Sequence, residues 1–358
     1  MSLLGMDKPV IGITMGDPGG IGAEVIVKAL AEPEIRRRAR YVIYGLNELL
    51  AYAADLAELD VFWWRDQHER ITRKFPQSVV VADYDEISWL GGTQSKCATK
   101  IGGEASLQFV HDAVNHALAG NLDAIVTGPI NKQSWHLAGC KYPGHTELLK
   151  KKCRSKRVGM MFAGGPFRVI LATIHDALFD IRHKFTIGRV FEPIDLANDA
   201  LKEWFGIERP KIAVAALNPH AGEHVRFGDE EKRIIKPAIL MAQEAGIDVE
   251  GPFPADSLFY QALNNKWDVI VAMYHDQGLI PVKMLAFDKA VNVTVGLPII
   301  RTSPDHGTAF DIAGRNGACA DSMKAAILMA CDMAEKKLKK NNRNQPPVVS
   351  RLKKKNTH

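Results

Sequence analysis

Residues 268–276 read DVIVAMYHD, and this stretch decides the fold. Val269 to Met273 form a short, β-branched run that is apolar on both faces, as a strand covered on both sides tends to be. The run stops at Tyr274, His275, Asp276, Gln277 and Gly278, four polar side chains and a glycine, where an ordinary turn would do. The same type of run recurs at 10–16 (VIGITMG), 41–45 (YVIYG), 78–84 (SVVVADY), 123–129 (DAIVTGP), 168–175 (RVILATIH), 211–220 (KIAVAALNPH) and 290–298 (AVNVTVGLP). Helical patterns lie between them, among them 23–38 (AEVIVKALAEPEIRRR) and 104–120 (EASLQFVHDAVNHALAG), the second closed by Gly120. Strands alternating with helices predict an α/β fold built on a mostly parallel sheet. In such sheets ligands bind beyond the carboxyl ends of the strands, so the residues after each run carry the information.

Three of the runs deliver a histidine: His175, His220 and His275. A hydrogen-bonded structural histidine accounts for any one of them taken singly. Three from separate strands can also converge, and three neutral imidazoles with an open position suit a catalytic Zn²⁺ or similar divalent ion. Asp276 would then hold a ligand in its tautomer or touch the metal. In YPGHTELL (142–149), Thr146 followed by Glu147 can cap a helix, while His145 and exposed N–H groups would suit an anion. Lys283, Asn292 and Arg301 form a third set, suited to phosphate or carboxylate and equally to salt bridges. GDPGGIG (16–22) follows a strand but matches neither the dinucleotide nor the phosphate-loop fingerprint. DHGTAFDIAG (305–314) reads as a loop. No G-x-S-x-G is present, which leaves no acyl-transfer reading.

Bulk properties exclude other classes. The 358 residues are 46% hydrophobic and 24% charged, an ordinary globular composition with room for one or two domains. No stretch approaches the roughly 20 apolar residues of a membrane span. The start lacks the features of a secretory signal. Cys97, Cys140, Cys153, Cys319 and Cys331 are unclustered, which points to free thiols in a reducing cytoplasm. The net charge of +5 comes from the C-terminus: without the nine Lys and Arg of 336–355 the balance is 37 basic against 41 acidic. No nucleic acid and no membrane are expected as partners of the body. The basic tail can touch an anionic partner, although a solvated, disordered end is the simpler reading.

Taken in order, GITMGDPGGIGAEV, TGPINK, YPGHTELL, LATIH, LNPHAGE, GPFPADSLF, AMYHDQGLIPVK and VNVTVGLPIIRTSPDHGTAFDIAG resemble the signature blocks of the 4-hydroxythreonine-4-phosphate dehydrogenase family of pyridoxal phosphate biosynthesis, over about residues 9–335. More distantly, GDPGGIGAEV and HGTAFDIAG are similar to pieces of the isocitrate and isopropylmalate dehydrogenases. The resemblance implies two α/β/α domains with a cleft between them: 1–130 plus 300–338, then 131–299 with dimer contacts, followed by a basic, disordered tail over 339–358. It implies a homodimer whose active sites are shared between subunits. It implies one divalent metal per site (Zn, Co, Ni, Mn or Mg) on His175, His220 and His275, and a small phosphorylated substrate held by His145, Thr146, Lys283, Asn292 and Arg301. NAD (or NADP) would meet His306, Gly307, Asp311 and Gly314. Lys283 or Lys132 would move protons, and Asp276 and Asp256 would orient metal ligands.

The chemistry so implied is oxidation of 4-phosphohydroxy-L-threonine to a β-keto acid, which decarboxylates to 3-amino-2-oxopropyl phosphate. The same chemistry on 4-phospho-threonate or 4-phospho-erythronate is the alternative within the family, and YPGHT in place of FTGHT leans toward that branch. Outside it stand a metal-dependent hydrolase or lyase on the same histidines, and a binding role for the basic tail.

Overall fold

The computed structural model describes residues 8–87, 96–264 and 266–344. Its elements run β1 (Val10–Thr14), α1 (Gly22–Ala31), α2 (Pro33–Arg38), β2 (Arg40–Gly45), α3 (Asn47–Leu56), β3 (Trp64–Gln67), β4 (Val79–Asp83), α4 (Lys100–Leu118), β5 (Ala124–Thr127), α5 (Lys132–Leu137), α6 (His145–Lys152), β6 (Gly159–Gly164) and β7 (Phe167–Leu171). They continue with α7 (Ile181–Lys184), α8 (Ile187–Glu203), β8 (Ile212–Ala215), α9 (Lys236–Glu244), β9 (Val249–Phe253), α10 (Ala255–Ala262), β10 (Val269–Ala272), α11 (His275–Ala286), β11 (Val291–Val295), β12 (Ile300–Pro304) and α12 (Asp321–Asn344). The class is α/β, as the alternating runs predict.

The apolar runs become strands because only a sheet interior removes both their faces from water. Every residue of β1, β4, β5, β8 and β10 is buried. Thr99 caps α4, its hydroxyl accepting from the Gly102 N–H at 3.0 Å, and Gly120 follows the helix at φ +78°. The run 23–38 divides: α1 stops at Ala31, and Pro33, which lacks an N–H to continue a helix, opens α2.

All twelve strands join one sheet in the order β3-β4-β2-β1-β5-β12-β11-β6-β7-β10-β8-β9. Its outer blocks are parallel, but β11 runs antiparallel to β12 and to β6, and β6 antiparallel to β7. The sheet is therefore mixed, mostly parallel with an antiparallel centre. Three successive reversals mean that β7, β10 and β8 run opposite to β5 and β12. The carboxyl ends of the two parallel blocks thus lie at opposite edges of the sheet.

Four strands give no sequence signal. β3 is polar and exposed, β6 is glycine and methionine in place of β-branched residues, β9 contains Gly251-Pro252 at the sheet's edge, and β12 is polar yet wholly buried. α12 continues to Asn344, so residues 339–344, expected in a disordered tail, are helical. The remainder of that tail lies outside the described residues. No helix among the described residues is long and apolar enough to cross a membrane.

Candidate active site

A cavity of about 410 Å³ opens over the middle of the sheet. Its floor is one face of β12, β11 and β6. Register fixes this: Asn292 pairs with Ser303 on one side and with Phe162 on the other, Thr294 pairs with Met160, and directly opposed residues of an antiparallel pair share a face. Thr127 at the end of β5 and Arg301 on β12 complete the floor, and α6 supplies His145, Thr146 and Glu147 to the walls. Residues beyond strand ends also line it, Gly128 to Ile130 after β5, His175 after β7 and His306 after β12. The reversal at β11 turns a sheet face toward the ligand.

Arg301 is the principal charge. It is 3% exposed, and Nε and Nη2 donate to Thr127 Oγ1 at 3.1 and 2.6 Å while Nη1 donates to Thr294 Oγ1 at 3.0 Å. Burial pushes its pKa down to about 10. Among the described residues no carboxylate pairs with it. A buried guanidinium held only by hydroxyls is a charge awaiting an anion.

Next to it stands His145, the first residue of α6. Burial, with a smaller contribution from the Arg301 charge, holds this imidazole well below its ordinary range, so it is neutral. Its ring meets Trp135 edge-on at 5.2 Å between centroids. Five buried side-chain polar atoms among the described residues lack a hydrogen-bond partner. Three of them, His145 Nε2, Asn292 Oδ1 and His306 Nε2, belong to residues lining this one cavity. Orphaned polar atoms are rare in native proteins, and their gathering around a cavity signals a bound polar group. Thr146 does not cap α6. Gly144 is the N-cap, without a side-chain bond, which leaves the Thr146 hydroxyl for the cavity.

The three histidines follow their strands at a distance of several residues. His175 lies beyond β7, His220 in a short 3₁₀ turn over Pro219–Gly222, and His275 opens α11. His175 and His275 come together, with ring centroids 6.1 Å apart. Asp276 Oδ1 is 2.7 Å from His275 Nδ1. A carboxylate only accepts, so Nδ1 is the donor of this contact, which leaves Nε2 for another partner. Burial, then the charges of Lys132 and His275, hold His175 below its ordinary pKa against the opposing Glu147 and Asp176, which keeps it a ligand-ready neutral ring.

His220 does not join this pair. Its neighbour is Phe227, at 6.2 Å between rings, and its backbone is left-handed at φ +52°. Among the described residues no three His, Cys, Asp or Glu side chains of one chain are arranged to hold a metal. Within one chain the structure brings His175 and His275 together and leaves His220 apart, beside Phe227. Two imidazoles suit a divalent ion in donor type, and such an ion takes at least three protein donors.

The other expected residues divide. Lys132 lines the cavity at the start of α5. Lys283 does not line it. Its Nζ pairs with Asp305 Oδ2 at 2.9 Å, at the rim between Pro304 and His306. Asp256 stays local, accepting from the Ser257 N–H at 2.8 Å. The loop meant for a cofactor is split: His306 lines the large cavity, whereas Gly314 lines a separate hollow with Gly20, Tyr52 and Asn316. Asp311 is exposed, and a Cβ on Gly307 would meet nothing within 4 Å. The loop does dock on GDPGGIG, where Ile21 N–H donates to Thr308 O at 3.0 Å and a Cβ on Gly20 would lie 2.8 Å from that oxygen.

Thr127, Glu147, Met160 and Ser303 line the cavity and were not singled out from the sequence. Thr127 lay in plain view at the end of a recognised strand. Ser303 was hidden because β12 itself was.

The model of the pyridoxal phosphate biosynthetic protein PdxA matches residues 37–330. A 4-hydroxythreonine-4-phosphate dehydrogenase from Geobacter metallireducens is 46% identical over 92% of this chain and 97% of its own. A D-threonate 4-phosphate dehydrogenase from Salmonella typhimurium is 42% identical over 92% and 100%. A crystal structure of a 4-hydroxythreonine-4-phosphate dehydrogenase from Burkholderia phymatum superposes with a TM-score of 0.80 at 41% identity, covering 92% of this chain and 99% of that one. By extent of match and by identity, the chain belongs to the family of the pyridoxal phosphate biosynthetic protein PdxA.

Proposed function

We propose that the protein is a nicotinamide- and divalent-metal-dependent dehydrogenase that oxidises 4-phosphohydroxy-L-threonine to a β-keto acid, which then loses carbon dioxide to give 3-amino-2-oxopropyl phosphate. The observation that carries this reading is the buried, carboxylate-free Arg301 in a cavity that also reaches His175. One end offers a cation for an anionic group and the other an imidazole that would take a metal.

Arg301, Asn292, His145 and Thr146 would bind the substrate's anionic group. The neutral His145 donates or accepts there without adding charge. His175 and His275 would hold the metal, with Asp276 fixing the His275 ring. Bound there, the metal would supply Lewis acidity toward the substrate hydroxyl and the ketone, with the nicotinamide as hydride acceptor. Lys132, in the cavity beside His175, would carry the proton that decarboxylation returns to carbon. Lys283 would hold Asp305 and thereby the rim.

A homodimer supports the missing donor. Ile280, Met284 and Leu285 on α11, with Phe287 just beyond, are large exposed apolar side chains on the helix that begins at His275. Such a patch suits a second copy, and His220 of the partner subunit would complete the donor set.

The family holds a second reading, since the D-threonate 4-phosphate dehydrogenase matches nearly as well as the vitamin enzymes. Both substrates carry phosphate and carboxylate, which Arg301 serves equally. Reduced nicotinamide formation should be followed with divalent metal and 4-phosphohydroxy-threonine, 4-phospho-threonate and 4-phospho-erythronate in parallel. Turnover of the first supports pyridoxal phosphate synthesis, turnover of the acids alone moves the enzyme to sugar-acid catabolism, and silence on all three without nicotinamide binding sinks the dehydrogenase reading.

A further inference from the structure

A second cavity of about 420 Å³ lies on the opposite face of the sheet. Arg168 of β7 pairs with Ala163, on the face that Met161 and Ile170 share, whereas Met160 and Phe162 belong to the face of the candidate active site. The turn between β6 and β7, α12, Phe205 and Lys289 enclose it.

The charges around this cavity do not balance. Arg168, Lys289 and Lys336 all line it, and its single lining carboxylate is Asp332. Asp332 is already engaged by Arg38 at 2.6 Å. Asp321, whose carboxylate feels the Lys289 charge, is held by Lys324 at 3.2 Å. Among the described residues neither Arg168, Lys289 nor Lys336 forms an ion pair. Arg168 makes one hydrogen bond, from Nη1 to Asp268 O at 3.2 Å, which leaves most of its donors unused, and the Asp268 carboxylate offsets part of its charge without pairing to it. Its guanidinium lies 4.9 Å from the Phe205 ring, a flat backing that fixes the fork. Met329 adds an apolar wall.

We propose that this cavity is a binding site for a small phosphomonoester, distinct from the substrate site. The three cations would take the phosphate dianion, Arg168 through its fork, and the Phe205–Met329 wall would take the organic part. The volume suits a small metabolite. The site stands on its own charges and does not depend on which substrate the enzyme oxidises.

Phenyl phosphate is the probe, measured by calorimetry at physiological chloride. Arg301→Met serves as the background, because it removes the anion clamp of the substrate cavity. The full chain with that one change should bind about one phenyl phosphate. Adding Lys289→Glu and Lys336→Glu should weaken binding at least about tenfold, the loss of 1.4 kcal/mol or more. Arg168→Lys, which keeps the charge and removes the fork, should weaken it as well, and circular dichroism checks that each variant is folded. In the otherwise wild-type chain the Lys289→Glu/Lys336→Glu pair should leave turnover unchanged. Absence of binding in the Arg301→Met chain, or equal binding after both lysines are reversed, overturns the proposal.

Discussion

Arg301→Met separates a functional charge from a structural one. The guanidinium is buried against Thr127 and Thr294 with no carboxylate paired to it among the described residues, so it carries a desolvation cost that three hydrogen bonds of about 1 kcal/mol each only offset. Methionine fills much of the same volume without that cost. Stability by urea denaturation should therefore stay within about 2 kcal/mol of wild type, with either sign. Substrate binding should respond quite differently. Truncating one partner of a buried, hydrogen-bonded charge pair costs about 2–5 kcal/mol, which predicts an increase in KM of about 30- to 4,000-fold. Inorganic phosphate provides a control free of turnover: it should raise the melting temperature of wild type by clearly more than that of the variant, which keeps only the cations of the second cavity. A variant destabilised by more than about 4 kcal/mol that keeps its KM and its phosphate shift would refute the reasoning and make Arg301 a core residue.

Other predictions rest on separate features. His275→Ala and His220→Ala should each abolish turnover while remaining folded, and mixed under subunit exchange they should regain part of it; proven heterodimers without activity would argue against a shared site. Phe287→Asp with Met284→Asp should give a monomer in sedimentation velocity, since both exposed side chains would be buried by a second copy. His145 is held neutral in the fold, its pKa below the ordinary 6.5. The unfolded chain takes up a proton there as pH falls below about 6.5 and the folded chain does not, so stability should fall on acidification by up to about 1.4 kcal/mol per pH unit. His145→Gln should flatten that slope, and an unchanged slope would assign the acid sensitivity to other groups. Gly16 is at φ +81° with Pro129 O 2.2 Å from where a Cβ would be. Gly16→Ala should cost more than the roughly 1–3 kcal/mol of backbone strain alone, read by urea denaturation.

The parts of the fold that the chain spells out are those where one local property suffices. β1, β5 and β10 are apolar because they are buried on both faces, and Gly120 ends α4 because it alone turns left-handed cheaply. What stayed hidden depends on partners far away. β12 reads as polar because Arg301 and Ser303 are its inward side chains, facing a cavity that a run of four or five residues cannot announce. The reversal at β11 follows from which strands flank it, and no residue of VNVTV encodes a direction. For the site, Arg301, Asn292 and His145 were legible as residue types that suit an anion, whereas Lys132 came only with the family resemblance and Thr146 read first as a helix cap. Lys283 also looked suited to an anion and is tied to Asp305 instead. The histidines were visible as strand followers, but spacing along a chain says nothing of where a loop carries His220.

The insertion of β12 between β5 and β11 has a temporal meaning. Thr127 and Arg301 are 174 residues apart in the chain. At about 5–20 residues per second of synthesis, the outer edge of β5 waits about 9–35 s for the strand that covers it. Until then Ala124–Thr127 presents open N–H and C=O groups in an apolar frame, the condition under which nascent chains pair wrongly. The residues that close that edge are the ones that carry the anion clamp, so the last strand of the sheet to be made both seals the fold and switches on the site.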